Sequence, residues 1–147
     1  MQNTVFRSMQ IIYGALITGV LLFGMVAIFV LQTADLNTFS LDVMGMVAIV
    51  FGITGSALGQ YLYNTKLQSV KNADTSTKLQ TWKTVLITRT ALIEGPCLFA
   101  VVNLMIGGGQ LFVIVYALLL AWMASNFPTR MKVKSDLDIS DEEIDSN

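Results

Sequence analysis

Between Arg7 and Asp35 the chain runs for 27 residues without a charge, and between Asp42 and Lys66 for another 23. From Lys83 to Arg130 the only charged residues are Arg89 and Glu94, and Gly107-Gly108-Gly109 divides that stretch in two. A helix rises 1.5 Å per residue, so roughly 20 residues cross the ~30 Å hydrocarbon core of a bilayer. The spacing predicts helices over about 9–32, 43–65, 83–106 and 110–129. A water-soluble bundle would need a polar face on each, and 13% charged residues against 54% hydrophobic leave little to build one. The expected fold is therefore all-α: a four-helix transmembrane domain over 1–134, followed by an acidic tail over 135–147. Arg7 ahead of the first span imitates a signal peptide. The apolar run is longer than the roughly 7–15 residues of a signal core, so the span is expected to be retained.

Loop charge sets the expected orientation. Arg7, the four lysines Lys66, Lys71, Lys78 and Lys83, and then Arg130, Lys132 and Lys134 fall on the N-terminus, the middle loop and the C-terminal segment. The loops at 33–42 and 107–109 have no basic residue. Positive loops stay inside, which places both termini in the cytoplasm and the chain in the cytoplasmic membrane. Trp82, Tyr61 and Tyr63 near the same ends serve either as interfacial anchors or as packing residues.

Composition excludes several classes. A formal charge of −1 argues against a nucleic-acid binder. With no histidine, a Ser-His-Asp triad, a Cys-His pair and histidine-bound zinc or haem are all ruled out. One cysteine rules out an intrachain disulfide. No enzyme activity, cofactor or metal is expected, and the partners are the bilayer and either further copies or other membrane subunits.

Two segments repeat. Ala15-Leu16-Ile17-Thr18-Gly19-Val20-Leu21-Leu22-Phe23 and Ala91-Leu92-Ile93-Glu94-Gly95-Pro96-Cys97-Leu98-Phe99 agree at six of nine positions, and Tyr63-Asn64-Thr65-Lys66-Leu67 parallels Phe127-Pro128-Thr129-Arg130-Met131. First span with third and second with fourth is the order that duplicating a two-helix hairpin gives, with the repeats parallel. In the second span Gly45, Gly52, Ser56 and Gly59 form a stripe of small residues, beside Gly55. Such stripes let helices approach closely, either within this chain or as a face between copies.

Glu94 carries the most information. An acid near the middle of a span costs roughly 2.5–3.5 kcal/mol on insertion scales unless a proton or a cation neutralises it. The first repeat avoids that cost with Thr18. Pro96 cannot donate to the Leu92 carbonyl, so Glu94 and that freed oxygen are expected to form a small polar pocket. Thr18, Thr54, Ser56 and Gln60 are its candidate donors. Glu94 then either binds and releases a proton or Na⁺, or acts as a structural hydrogen-bonding residue. Arg89 is about 140° around the helix from Glu94, so it is expected to snorkel to the headgroups, with an ion pair to Glu94 of an adjacent chain as the other option. Cys97 reads as an inert buried thiol. The tail from Ser135 carries six Asp/Glu and no base, and is expected to be disordered and solvated, or else to dock on a basic partner or on the chain's own lysine-rich middle loop.

The segment 51–106 resembles the helical hairpin of rotor-ring c subunits (proteolipids) of ATP synthases. Phe51-Gly52-Ile53-Thr54-Gly55-Ser56-Ala57-Leu58-Gly59-Gln60 is similar to that family's glycine-rich inner helix. The nine residues from Ala91 to Phe99 look like the outer helix around its ion-carrying carboxylate. The resemblance implies Glu94 as that carboxylate, with Gln60 and Thr54 as ligand-helix positions. The lysine-rich loop and the two further spans have no counterpart in a single hairpin. The expected function is a proton- or ion-linked membrane protein acting in an oligomer or larger complex. The alternative is a non-transporting accessory or scaffold subunit in which Glu94 is structural.

Overall fold

The computed structural model describes residues 2–30 and 37–139. The described residues are almost entirely helical. Helix α1 spans Gln2–Met25 and continues as a π-helical turn over Val26–Val30; α2 spans Val43–Ser69, α3 Thr75–Met105, α4 Gln110–Ser125 and α5 Arg130–Leu137. Three are long and apolar enough to cross a membrane: Phe6–Phe29, Val43–Ser69 and Thr75–Met105. A fourth qualifies only if α4 and α5, which meet at a bend of 76°, are counted together.

Local chemistry explains the boundaries. Asp42 caps α2 by accepting from the Gly45 amide at 2.7 Å. Asp74 caps α3 by accepting from the Thr77 amide at 3.2 Å, so this helix starts eight residues ahead of the expected position 83 and takes in a polar first segment. Likewise α2 runs four residues past 65, to Ser69. Gly107, at φ 93°, turns the chain out of α3 in a conformation that a side chain would resist. At the other end α4 stops at Ser125, short of the expected 129. Pro128 lacks an amide hydrogen and disfavours helical geometry in the residue before it, which accounts for the break. Thr129 then caps α5 through the Lys132 amide at 3.3 Å.

Helix α3 is the hub, packing against α2, α4, α1 and α5. The expected α1–α2 hairpin is not among the closely packed pairs of the described residues. Instead α1 lies against α3 and α4, and α2 against α3 and α4. The glycine stripe of α2 is used inside the chain. Gly45 and Gly52 face Leu111 and Leu119 of α4, and Gly55 and Gly59 face Leu92, Pro96 and Arg89 of α3.

The basic segments meet at one end of the bundle. Gln10 of α1 donates to the Pro128 carbonyl at 3.1 Å, and the Arg130 guanidinium lies 5.9 Å from the Phe6 ring centre. Lys71, between α2 and α3, and Lys78 of α3 border a cavity shared with Ser135, Asp136 and Asp138. At the opposite end the Gln110 amide donates to the Thr38 carbonyl at 3.0 Å, joining the two loops that carry no base. The acidic segment begins as helix: Ser135–Leu137 complete α5, and Leu137 and Ile139 are buried while Ser135 and Asp138 are exposed. Residues 140–147 lie outside the described residues.

Candidate functional site

Glu94 sits on α3, half-buried, at the margin between two flanks of the helix. One turn earlier Thr90 is buried beside the Tyr13 hydroxyl of α1, and Val101, two turns later, is buried as well. On the other side Ile87, Ala91 and Val102 are exposed. The carboxylate is thus neither sealed in the core nor fully turned outward. It makes no hydrogen bond or ion pair among the described residues.

The four candidate donors are not gathered around it. Gln60 donates to the Asn64 side-chain oxygen at 2.9 Å, one turn along its own helix. Ser56 and Gln60 line a groove between α2 and α4, against Leu119 and Trp122. Thr54 is exposed on the outer face of α2 beside Val47 and Val50, and Thr18 is exposed on α1. The expected pocket of Glu94 with the freed Leu92 carbonyl does not form either. That oxygen and the Pro96 ring face Gly55 of α2. Two residues turn a helix through about 200°, which carries Glu94 away from it. The absent side chain of Gly55 lets the α2 backbone come close to Pro96, so that a Cα hydrogen can approach the freed oxygen.

Arg89 departs furthest from expectation. It does not snorkel: it is 4% exposed, inside its own chain. Its Nη2 donates to Asn126 Oδ1 at 2.6 Å, and its guanidinium carbon lies 4.9 Å from the centre of the Tyr63 ring. Lys132 Nζ of α5 donates to the same Asn126 oxygen at 3.0 Å, while Asn126 Nδ2 donates to the Trp122 carbonyl at 2.7 Å. The Tyr63 hydroxyl donates to the Asp136 carboxylate and accepts from Trp82 Nε1 at 3.1 Å. Burial, and then the Arg89 charge, push Lys132 below the usual lysine range, against the opposing pull of Asp136. Arg89 Nε is buried without a hydrogen-bond partner among the described residues.

Of the three aromatics expected near this end, Trp82 and Tyr63 are buried in the network and Tyr61 is exposed. Sequence reasoning missed Asn126 and Asp136 as members. The only available signal was a polar residue at the break before Pro128, which reads equally well as an ordinary helix end. Cys97 is buried, its thiol directed at the Tyr116 carbonyl at 3.8 Å, and Tyr116 in turn donates to the Val20 carbonyl at 3.2 Å. Among the described residues no three Cys, Asp or Glu side chains converge as metal ligands.

No protein-family model matches the chain, and no curated protein or solved structure was found to be similar to it.

Proposed function

We propose that the chain is a four-span protein of the cytoplasmic membrane, with both termini in the cytoplasm, that works within an oligomer or larger membrane complex. In it Glu94 is a proton- or ion-linked carboxylate. The supporting observation is Glu94 itself: an acid on the hub helix, half-covered by its own chain and unbonded among the described residues. A purely structural acid in a span is expected to satisfy its hydrogen bonds against neighbouring helices, and the nearby donors are committed elsewhere or face away. An accessible carboxyl on a protein flank can exchange a proton or a cation with a neighbouring subunit. The membrane assignment draws on the exposed apolar side chains, among them Val43, Val50 and Ile53 of α2 and Leu118 of α4, which would be a liability in water. The close α2–α3 pairing through Gly55 and Gly59 agrees with the resemblance to rotor-ring hairpins.

Carbodiimide labelling tests this reading. Glu94 is expected to be modified, and Na⁺ or raised pH is expected to slow the reaction. Glu94→Gln is expected to abolish ion-coupled activity while leaving assembly intact. Lack of labelling in the assembled protein, or loss of assembly alone in the variant, would overturn the reading. It would favour the accessory-subunit alternative, which the α5 network supports by giving the basic end a fixed surface.

A further inference from the structure

On the exposed side of the α2–α3 pair a groove of about 510 Å³ is lined by Lys66, Ser69, Gln80, Thr84 and Thr88, with Leu62 and Val85 at its apolar wall. These five polar residues are exposed, and the half-buried Thr81 completes the polar lining. Thr84 and Thr88 share a face at i, i+4, next to the exposed Ile87, where a membrane-facing flank would ordinarily be apolar.

Three of the groove's four hydroxyl hydrogens are already committed. Ser69 Oγ donates to the Lys66 carbonyl at 2.8 Å, Thr84 Oγ1 to the Gln80 carbonyl at 3.1 Å and Thr88 Oγ1 to the Thr84 carbonyl at 3.0 Å. Outward, these oxygens therefore offer lone pairs only. Lys66, in the last turn of α2, offers three donors and a positive charge and forms no ion pair among the described residues. With the donors of Lys66, Gln80 and Thr81 at one part of the lining and the three acceptor oxygens at another, the groove suits an anionic oxygen beside N–H donors, attached to an apolar body.

We infer that this groove binds an amine-bearing phospholipid. The phosphate meets Lys66, the primary ammonium donates to the Ser69, Thr84 and Thr88 oxygens, and the acyl chains lie over Leu62 and Val85. A choline headgroup carries the same phosphate but no N–H, so the acceptor wall discriminates against it. The inference rests on the membrane assignment.

The test is native mass spectrometry of the full chain in mild detergent with phosphatidylethanolamine, phosphatidylcholine or inorganic phosphate. Phosphatidylethanolamine is expected to be retained about tenfold better than phosphatidylcholine, the size of a charge-assisted hydrogen bond. The near-isosteric T84V/T88V double variant should lose that preference, and Lys66→Ala should weaken both lipids alike. Equal retention of the two lipids by the native chain, a preference that survives in T84V/T88V, or inorganic phosphate binding as well as lipid would each overturn the inference. Failure of the membrane reading is separable: the chain would then be released from membranes by alkaline carbonate without detergent.

Discussion

Gly55 shows how much can depend on one absent side chain. A Cβ there would run into the Leu92 carbonyl oxygen and come within 3.1 Å of Pro96 Cγ, both held by α3. Backbone cannot swing aside as a flexible side chain can, so Gly55→Ala is expected to destabilise the bundle by about 1–3 kcal/mol, the range for overpacking. Gly19, with nothing within 4 Å of the same added atom, is the control. Gly19→Ala is expected to be neutral or to stabilise by up to ~1 kcal/mol through helix propensity. Thermal unfolding in one detergent compares the two, and equal melting points would contradict the packing account. Asn126 gives a second contrast. Asn126→Leu strands a buried guanidinium and Lys132 together and is expected to cost about 1.5–3 kcal/mol, whereas Arg89→Met leaves the amide bonded to Lys132 and should cost less. At this scale the sequence marked Glu94, Arg89 and Pro96 as unusual, because charge and proline are rare in spans. It could not say where they point, since a half-turn of α3 decides whether Glu94 meets the Leu92 carbonyl.

Helix interiors were legible and helix ends were not. Charge-free runs locate α1 to α4, because apolar length is what a bilayer or a dry core demands. Six of the first eight residues of α3, Thr75–Trp82, are polar and give no such signal; a cap starts the helix there. Hydrogen bonds from Ser76 and Thr77 hold the Asp74 carboxyl down, from its ordinary 3.8 to about 2. Because the folded state prefers the ionised form, the cap's contribution is present above pH 3.8 and is lost as pH falls through about 2. The Thr77 amide is therefore expected to exchange faster with solvent below pH 2 once intrinsic rates are divided out. Asp74→Asn should retain most of the cap and show no such step. A step that persists in the asparagine variant would assign it to another group. The acidic tail illustrates the opposite error: composition alone suggested solvation from 135, but Leu137 and Ile139 supply the apolar contacts that composition averages away.

For the whole molecule, the number of crossings follows from which ends meet. Helix α4 has only 16 residues, about 24 Å at 1.5 Å each, shorter than the ~30 Å core it would cross. Yet it begins at Gln110, bonded to Thr38 at the base-free end, and is followed by Asn126, bonded to Arg89 at the basic end. On the proposed four-span reading, so short a helix would be accommodated by local thinning of the bilayer and by the polar network at its C-terminal end. Single cysteines at Lys71 and Met131 are therefore expected to react with a membrane-impermeant thiol reagent from one side, and a cysteine at Asp42 from the other, with buried Cys97 silent throughout. Reaction of Lys71→Cys and Met131→Cys from opposite sides would remove α4 as a span. Assembly is the remaining question at this scale. The α2 glycine stripe is consumed by α3 and α4, so it cannot also be the face between copies, and the half-covered flank of α3 bearing Glu94 is the better candidate. A particle mass in mild detergent corresponding to several copies, which falls to one copy when Ala91→Trp adds bulk to that exposed flank while helicity is unchanged, would place the contact there. A monomer of 16.1 kDa that remains single at every protein concentration would instead leave Glu94 facing lipid alone, and the ion-linked reading would lose its neighbour.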